Sequence, residues 1–296
     1  MGKAATQMTK PISERAQESA GNLPAVQDHA GPSAALMEFA SEQTGRGVST
    51  AADDNLVPLV YCLDAKSPQV DRRDGKYVEG AEAGDIWFRN APPDLEIVKG
   101  TVGVLVQPCY FYKDVGEWVP RKSGGGLVCR HPQEKAKDVP GAKPGHNRET
   151  GEARANIWFT EDGERDLIET RNHAVIVYFP NGRTMAYLMP LKSTGHSVSR
   201  AWMTQINNQI IQEGPKKGTP WDSFARLYHL TTEQRHDNEG NKWFNFVTKE
   251  GSWATKEQYL AGRKLCLQFT SGEKKAAADE AVTEPAAGGT NTDALA

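Results

Sequence analysis

Apolar and polar positions along this chain repeat mainly with the period of strands. Thr101 to Tyr112 (TVGVLVQPCYFY) is dense in β-branched and aromatic residues, follows Gly100, and has Asp114 to Gly116 available as a turn. His173 to Phe179 and Thr184 to Met189 flank Pro180-Asn181-Gly182, which predicts a hairpin. Phe224 to Thr231 and Lys242 to Lys249 flank Asp237-Asn238-Glu239-Gly240 and predict a second one. Between the hairpins the period changes. Val198, Trp202, Ile206 and Ile210 recur every fourth position with Met203 beside them, a single apolar stripe on one long helix. Ser197 is placed to cap its start and Gly214-Pro215 to end it, and a second, weaker helix is predicted over Lys256 to Leu265.

A strand meander interrupted by one long helix predicts a mainly β (α+β) fold, with an oligonucleotide-binding (OB-like) β-barrel as the architecture that accommodates it. Residues 1–51 are rich in Ala, Gln, Ser, Thr, Gly and Glu and predict a mostly disordered extension, with one short candidate helix at Ser33 to Ser41. Residues 271–296 form a low-complexity, mildly acidic tail, leaving 52–270 as the core. Composition agrees with this division. A mean hydropathy of -0.61 is low for a compact chain, as expected when solvated tails dilute an ordinary core. The core itself is nearly neutral, with 29 basic and 28 acidic side chains.

No apolar run approaches the roughly 20 residues needed to cross a bilayer, and Met1 to Lys10 lack the apolar centre of a secretion signal, so a cytoplasmic protein without a membrane partner is expected. Cys62, Cys109, Cys129 and Cys266 are too few and too dispersed for a disulfide framework and are expected as free thiols.

Catalytic signatures are missing. Ser123 to Gly126 lacks the Lys-Ser/Thr of a phosphate-binding loop, and Gly214 to Thr219 has the wrong spacing for one. Gly195 to Ser199 resembles a nucleophile elbow but ends in Ser where Gly is required, and is better read as a helix start. Glu161-Asp162-Gly163-Glu164 reads as a solvated turn. Cys129, His131 and His146 are near one another, but no Cys-x-x-Cys or His-x3-His pair anchors a tetrahedral metal shell, which would need Cys109 as well. No enzyme activity, metal or cofactor is therefore expected.

The chain is instead rich in flat rings next to positive charge. Tyr110, Phe111 and Tyr112 run into Trp118, Arg121 and Lys122, followed by Gly124 to Gly126 and Arg130. Lys192 and Arg200 precede Trp202, and Lys216, Lys217 and Arg226 accompany Trp221, Phe224 and Tyr228. Lys242 leads into Trp243, Phe244 and Phe246. Single-stranded nucleic acid is bound by this combination, because basic side chains follow the phosphates while exposed rings stack on bases at about 1–3 kcal/mol each. Alternation sends about half of the strand rings inward. Tyr110 and Tyr112 should share the face opposite Phe111, and Trp202 belongs to the core. The glycines at 124–126 fit a hairpin tip and a loop that folds over a bound strand equally well.

Several segments, in this order, resemble a known family: GDIWF at 84–88, a V-x-P-C strand leading into EWVPRKSGGG at 117–126, ETRNH at 169–173, PLKSTGHSVSRAW at 190–202, TPWDSFARLYHLTT at 219–232 and GNKWFNF at 240–246. Together they resemble the single-stranded-DNA-binding-like proteins of tailed bacteriophages, over roughly residues 52–250. The resemblance implies a protein that coats exposed single strands during phage replication or recombination, in the cytoplasm of the infected bacterial host. By motif position it implies contacts from Trp118, Arg121, Lys192, Ser193, Thr194, Arg200 and Trp243; the charge and ring pattern adds Tyr112, Lys122, Arg130, Lys216, Lys217 and Arg226. Single-stranded DNA is the expected partner, with phage replication or recombination proteins and a homo-oligomer also compatible. The alternative reading is a virion structural or assembly protein that uses the same β-rich core as an oligomer interface.

Overall fold

The computed structural model describes residues 56–120, 123, 126–148, 150–238 and 240–276. The expected N-terminal extension, its candidate helix at 33–41 and the tail beyond 276 lie outside these residues. In chain order the strands are β1 (Leu56–Val57), β2 (Val60–Cys62), β3 (Ile86–Phe88), β4 (Ile97–Val98), β5 (Val104–Trp118), β6 (Leu127–His131), β7 (Lys143–His146), β8 (Ala153–Phe159), β9 (Asp166–Tyr178) and β10 (Thr184–Lys192). Helix α1 (Gly195–Asn207) follows, then β11 (Arg226–His236), β12 (Lys242–Trp253), helix α2 (Lys256–Thr270) and β13 (Lys275–Ala276).

The long antiparallel pair β5–β9 is the axis of the fold, and different strands flank its two ends. At the end where Val106 faces Val177, the order is β12-β11-β5-β9-β10. At the end where Trp118 faces Asp166, it is β6-β5-β9-β8-β7. A small antiparallel sheet, β2-β3-β4, and a parallel β1–β13 pair complete the described strands. The mainly β, α+β expectation is met, with two α-helices among the described residues. The described strand pairings form no closed barrel, so they support the β-rich architecture at this coarser level.

One irregularity sets the faces of β5. Pro108 is opposite Val175 but Tyr110 is opposite Ala174, leaving Cys109 as the extra residue of a β-bulge. A bulge reverses the inward–outward parity. Val104 and Val106 therefore join Val175, Val177, Tyr187 and Met189 beneath α1, where Trp202 is completely buried and Ile206 nearly so. Beyond the bulge Phe111 meets His173 on that same side, while Tyr110 and Tyr112 turn to the other and rest against Phe269 of α2. The sheet is thus covered by a helix on each face. Buried Gln107 ties α2 down: its amide donates to the carbonyls of Phe224 at 2.6 Å and Gln258 at 3.0 Å and accepts from the Tyr178 hydroxyl at 2.7 Å.

Both predicted hairpins form, with Gly182 at a φ of 83° and Gly240 at 84° in their turns, the left-handed conformation that the Asn-Gly and Glu-Gly positions supply. Four boundaries differ from the sequence pattern. Asp114 to Gly116 continue β5 instead of turning, because buried Asp114 accepts from Arg130 at 2.8 Å and from Asn172 at 2.9 Å. α1 begins earlier, after Thr194, and Ser197 donates to the Thr194 carbonyl instead of capping. It ends at Asn207, and Ile210 leaves the stripe to pair with Pro220. α2 runs on to Thr270 from a capping box between Thr255 and Gln258. No helix among the described residues is long and apolar enough to cross a membrane.

Candidate nucleic-acid interface

The chain passes from β10 into α1 through Lys192, Ser193 and Thr194. Ser193 has a φ of 45°, a left-handed conformation that only a sharp reversal explains in a residue with a side chain. That reversal exposes Ser193 and Thr194 and presents the Thr194 carbonyl to Ser197 Oγ at 2.8 Å and Asn245 Nδ2 at 3.1 Å. The Thr194 side chain makes no capping bond, and the first turn of α1 contains no acidic residue. The partial positive charge at the start of this 13-residue helix is therefore not neutralised by its own first turn.

Two clefts meet at this point, since Thr194 lines both. The larger, about 970 Å³, has Lys135, Lys137, Arg148, Trp158, Ser193 and His196 along its walls, with Asp166 and Glu169 as its two acids. The smaller, about 560 Å³, is lined by Ser197, Gln205, Arg235, Trp243 and Asn245. The larger carries three Lys or Arg against two acids, and the smaller one Arg and no acid. Some of this charge is already used. Arg148 pairs with Asp166 at 2.9 Å and lies 4.2 Å above the Phe159 ring, and Arg235 pairs with Glu233. Lys135 and Lys137 stand exposed at the rim. His196, half-buried and in contact with the Glu169 carbonyl at 2.9 Å, is shifted toward its neutral form chiefly by burial.

Of the residues singled out from the sequence, Ser193, Thr194 and Trp243 line the clefts. The Trp243 indole N–H is buried with no hydrogen-bond partner among the described residues. Lys192 adjoins them and sits with Nζ 3.4 Å over the Trp118 ring. Arg200, Lys216 and Lys217 are exposed but line neither cleft. Tyr112 is held in the packing beneath α2, where burial pushes its phenol pKa up. Arg130 is bound to Asp114 at 2.8 Å, and Arg226 to Glu250 at 2.8 Å and Gln209 at 2.9 Å, so both guanidiniums have partners inside the protein. Arg121 and Lys122 lie outside the described residues, as do Gly124 and Gly125.

Sequence reasoning missed the walls of the larger cleft. Rings beside charges along the chain do not reveal them: Arg148 reaches this cleft through the pairing of β7, β8 and β9, and Lys135 and Lys137 through the segment between β6 and β7, where the Ala136 N–H donates to Glu169 and Ala136 and Val139 pack with Leu167 and Trp158. The local signals were the basic Lys135-Ala-Lys137 step and the Ile157-Trp158-Phe159 run. A second aromatic surface lies apart in sequence as well: Trp221 and Trp253, both exposed, stand 5.5 Å apart with Arg226 5.2 Å from the Trp253 ring. Cys109, the residue needed to complete a metal shell with Cys129, His131 and His146, is instead buried beneath α2, and His146 packs edge-on against Phe159 at 5.3 Å.

The family model described as Pam3 phage gp34-like protein matches residues 27–275. No curated protein and no solved structure matches the chain.

Proposed function

Because the chain belongs to the Pam3 phage gp34-like family, a family of phage proteins, we propose that it is a non-enzymatic, sequence-tolerant single-stranded-DNA-binding protein of phage replication or recombination. The observation that carries this reading is the meeting of two basic, ring-bearing clefts at the uncapped start of α1. A strand laid through them would set phosphates against Lys135, Lys137 and the α1 amides, and bases against Trp158 and Trp243. The described β-rich core is compatible with an OB-like ancestry, and the site of action under this reading is the cytoplasm of the infected host.

Titration with a thymidine oligomer and with duplex, followed by tryptophan quenching at several salt concentrations, tests it. Binding to the single strand over the duplex is expected, with a log-log salt slope of about -0.7 per phosphate contacted. Lys135→Glu with Lys137→Glu should weaken binding at least about tenfold at low salt, while Lys66→Glu, on an exposed loop outside the clefts, should change it by less than about twofold. Equal binding by all three proteins, or no binding, would remove the reading.

A second reading rests on a different surface. Leu260 and Leu267, one face of α2, are half exposed, as is Trp253. Exposed apolar anchors of this type suit a protein interface, as in a virion or assembly component. Copurification with capsid particles and a loss of self-association in Leu260→Lys/Leu267→Lys would favour it.

A further inference from the structure

Glu117, Cys129 and His131 converge at the end of the β5–β6 hairpin. Glu117 lies directly opposite Cys129 in the ladder, and His131 is two positions further along the same strand, so pleating puts all three on one face. Their ligand atoms form a small triangle: Cys129 Sγ is 3.3 Å from Glu117 Oε2 and 3.5 Å from His131 Nε2, and the latter two are 2.9 Å apart. Around one Zn²⁺, with bonds of about 2.3 Å to sulfur and about 2.0–2.1 Å to nitrogen or oxygen, tetrahedral angles place sulfur about 3.5 Å from each lighter ligand and nitrogen about 3.3 Å from oxygen. The triangle needs only a few tenths of an ångström of relaxation to match.

The surroundings favour the same ion. The Glu117 side chain is only 9% exposed, and its second oxygen is held by Arg165, which orients Oε2 toward the other two ligands as outer partners of metal sites do. Carboxylate, thiolate and neutral imidazole together balance a divalent charge. Thiolate and imidazole select Zn²⁺ over the hard cations Mg²⁺ and Ca²⁺. Cys129 is exposed, so the fourth position opens to solvent. Among the described residues this is the one group of three such ligands within mutual reach.

We propose that Glu117, Cys129 and His131 bind one Zn²⁺ with water as the fourth ligand. Binding replaces the thiol S–H bond with an S–Zn bond and releases the proton to solvent. The ion clamps β5 to β6 beside Trp118, independently of whether the protein binds DNA.

Tag-free, full-length protein is incubated with equimolar Zn²⁺ and desalted, and its metal content is measured by mass spectrometry. Wild type and Cys266→Ala should retain close to one equivalent, and Cys129→Ser and His131→Gln less than about a tenth. Circular dichroism checks that the variants fold. If either does not, the Co²⁺-substituted wild type decides alone: a thiolate-to-cobalt charge-transfer band with tetrahedral ligand-field absorption is expected. Retention below about a tenth of an equivalent by wild type, equal retention by folded Cys129→Ser, or a Co²⁺ spectrum without the thiolate band overturns the proposal.

Discussion

His173 shows how a single residue ties stability to pH. It is buried between Phe111 and Trp202, stacks on the indole at 4.9 Å and exchanges a 2.8 Å hydrogen bond with Ser199 Oγ. Burial first, and then the charge of Arg171, pushes its pKa down to about 3. In the unfolded chain the imidazole takes up a proton near its ordinary pKa of about 6.5, so between that value and the folded one the unfolded state holds more protons. The contribution is complete above about pH 6.5 and is lost as pH falls, at up to about 1.4 kcal/mol per pH unit. Urea unfolding at about pH 7.5 and about pH 5 should show a larger loss in wild type than in His173→Phe, which cannot titrate. Equal losses would show that His173 is not the group responsible. Asp114 makes a similar point about buried charge. With its side chain 8% exposed and Arg130 as its ion partner, Asp114→Ala leaves a guanidinium uncompensated and should cost about 3–5 kcal/mol in the same assay. A cost below about 1 kcal/mol would mean that water reaches Arg130 freely.

At the scale of elements, α2 carries a test in which propensity and packing disagree in sign. Gly262 lies in the middle of the helix, where alanine is ordinarily better by about 1 kcal/mol. Here a Cβ would come within 2.5 Å of Phe224 Cβ and 2.9 Å of Gln107 Nε2, the group that anchors the helix to the sheet. Gly262→Ala should therefore lower stability by about 1–3 kcal/mol, read as a reduced thermal midpoint. An increase would show that α2 can move off the sheet at no cost. Gly116 in β5 has the same role without a positive φ: a Cβ there would meet Trp118 Nε1 at 2.4 Å. Any side chain at 116 would therefore displace the Trp118 ring. The α1 stripe was legible because Trp202 and Ile206 repeat at helical spacing. Its true end was not, since Ile210 keeps the period but pairs with Pro220.

At the scale of the whole molecule, the last described strand constrains how the acidic tail can be examined. Residues 277–296 carry four acidic side chains and no basic ones. If they compete with DNA for the basic clefts, removing them should tighten single-strand binding at low salt and leave it unchanged at high salt, where screening is complete. An unchanged affinity at low salt would dismiss the competition. The cut belongs after Ala276, because Lys275–Ala276 pairs in parallel with Leu56–Val57 and thereby joins the two ends of the described chain. Truncation at 270 would remove that pair as well, and a fall in thermal midpoint would accompany any change in binding.

The strand character of the five segments read from the pattern, both hairpins, the helical spacing of Trp202 and Ile206 and the opposite faces of Phe111 and its tyrosine neighbours were determined by the sequence alone, whereas the short strands β1–β4, β6–β8 and β13 were not. Each of the former depends on period or turn residues within a few positions, and local sterics enforce them wherever the segment sits. The tertiary structure decided the rest. Lys135 shares a cleft with Trp158 only because Ala136 and Val139 pack with Leu167 and Trp158, and Glu117, Cys129 and His131 share a face only because the β5–β6 register brings them side by side. Arg130 and Arg226, which look like free cations along the chain, have ion partners 16 and 24 positions away. The physical reason is common to all of these. Hydrogen-bond registers and the closing of a core are set by the sum of long-range contacts, and no window of sequence contains that sum.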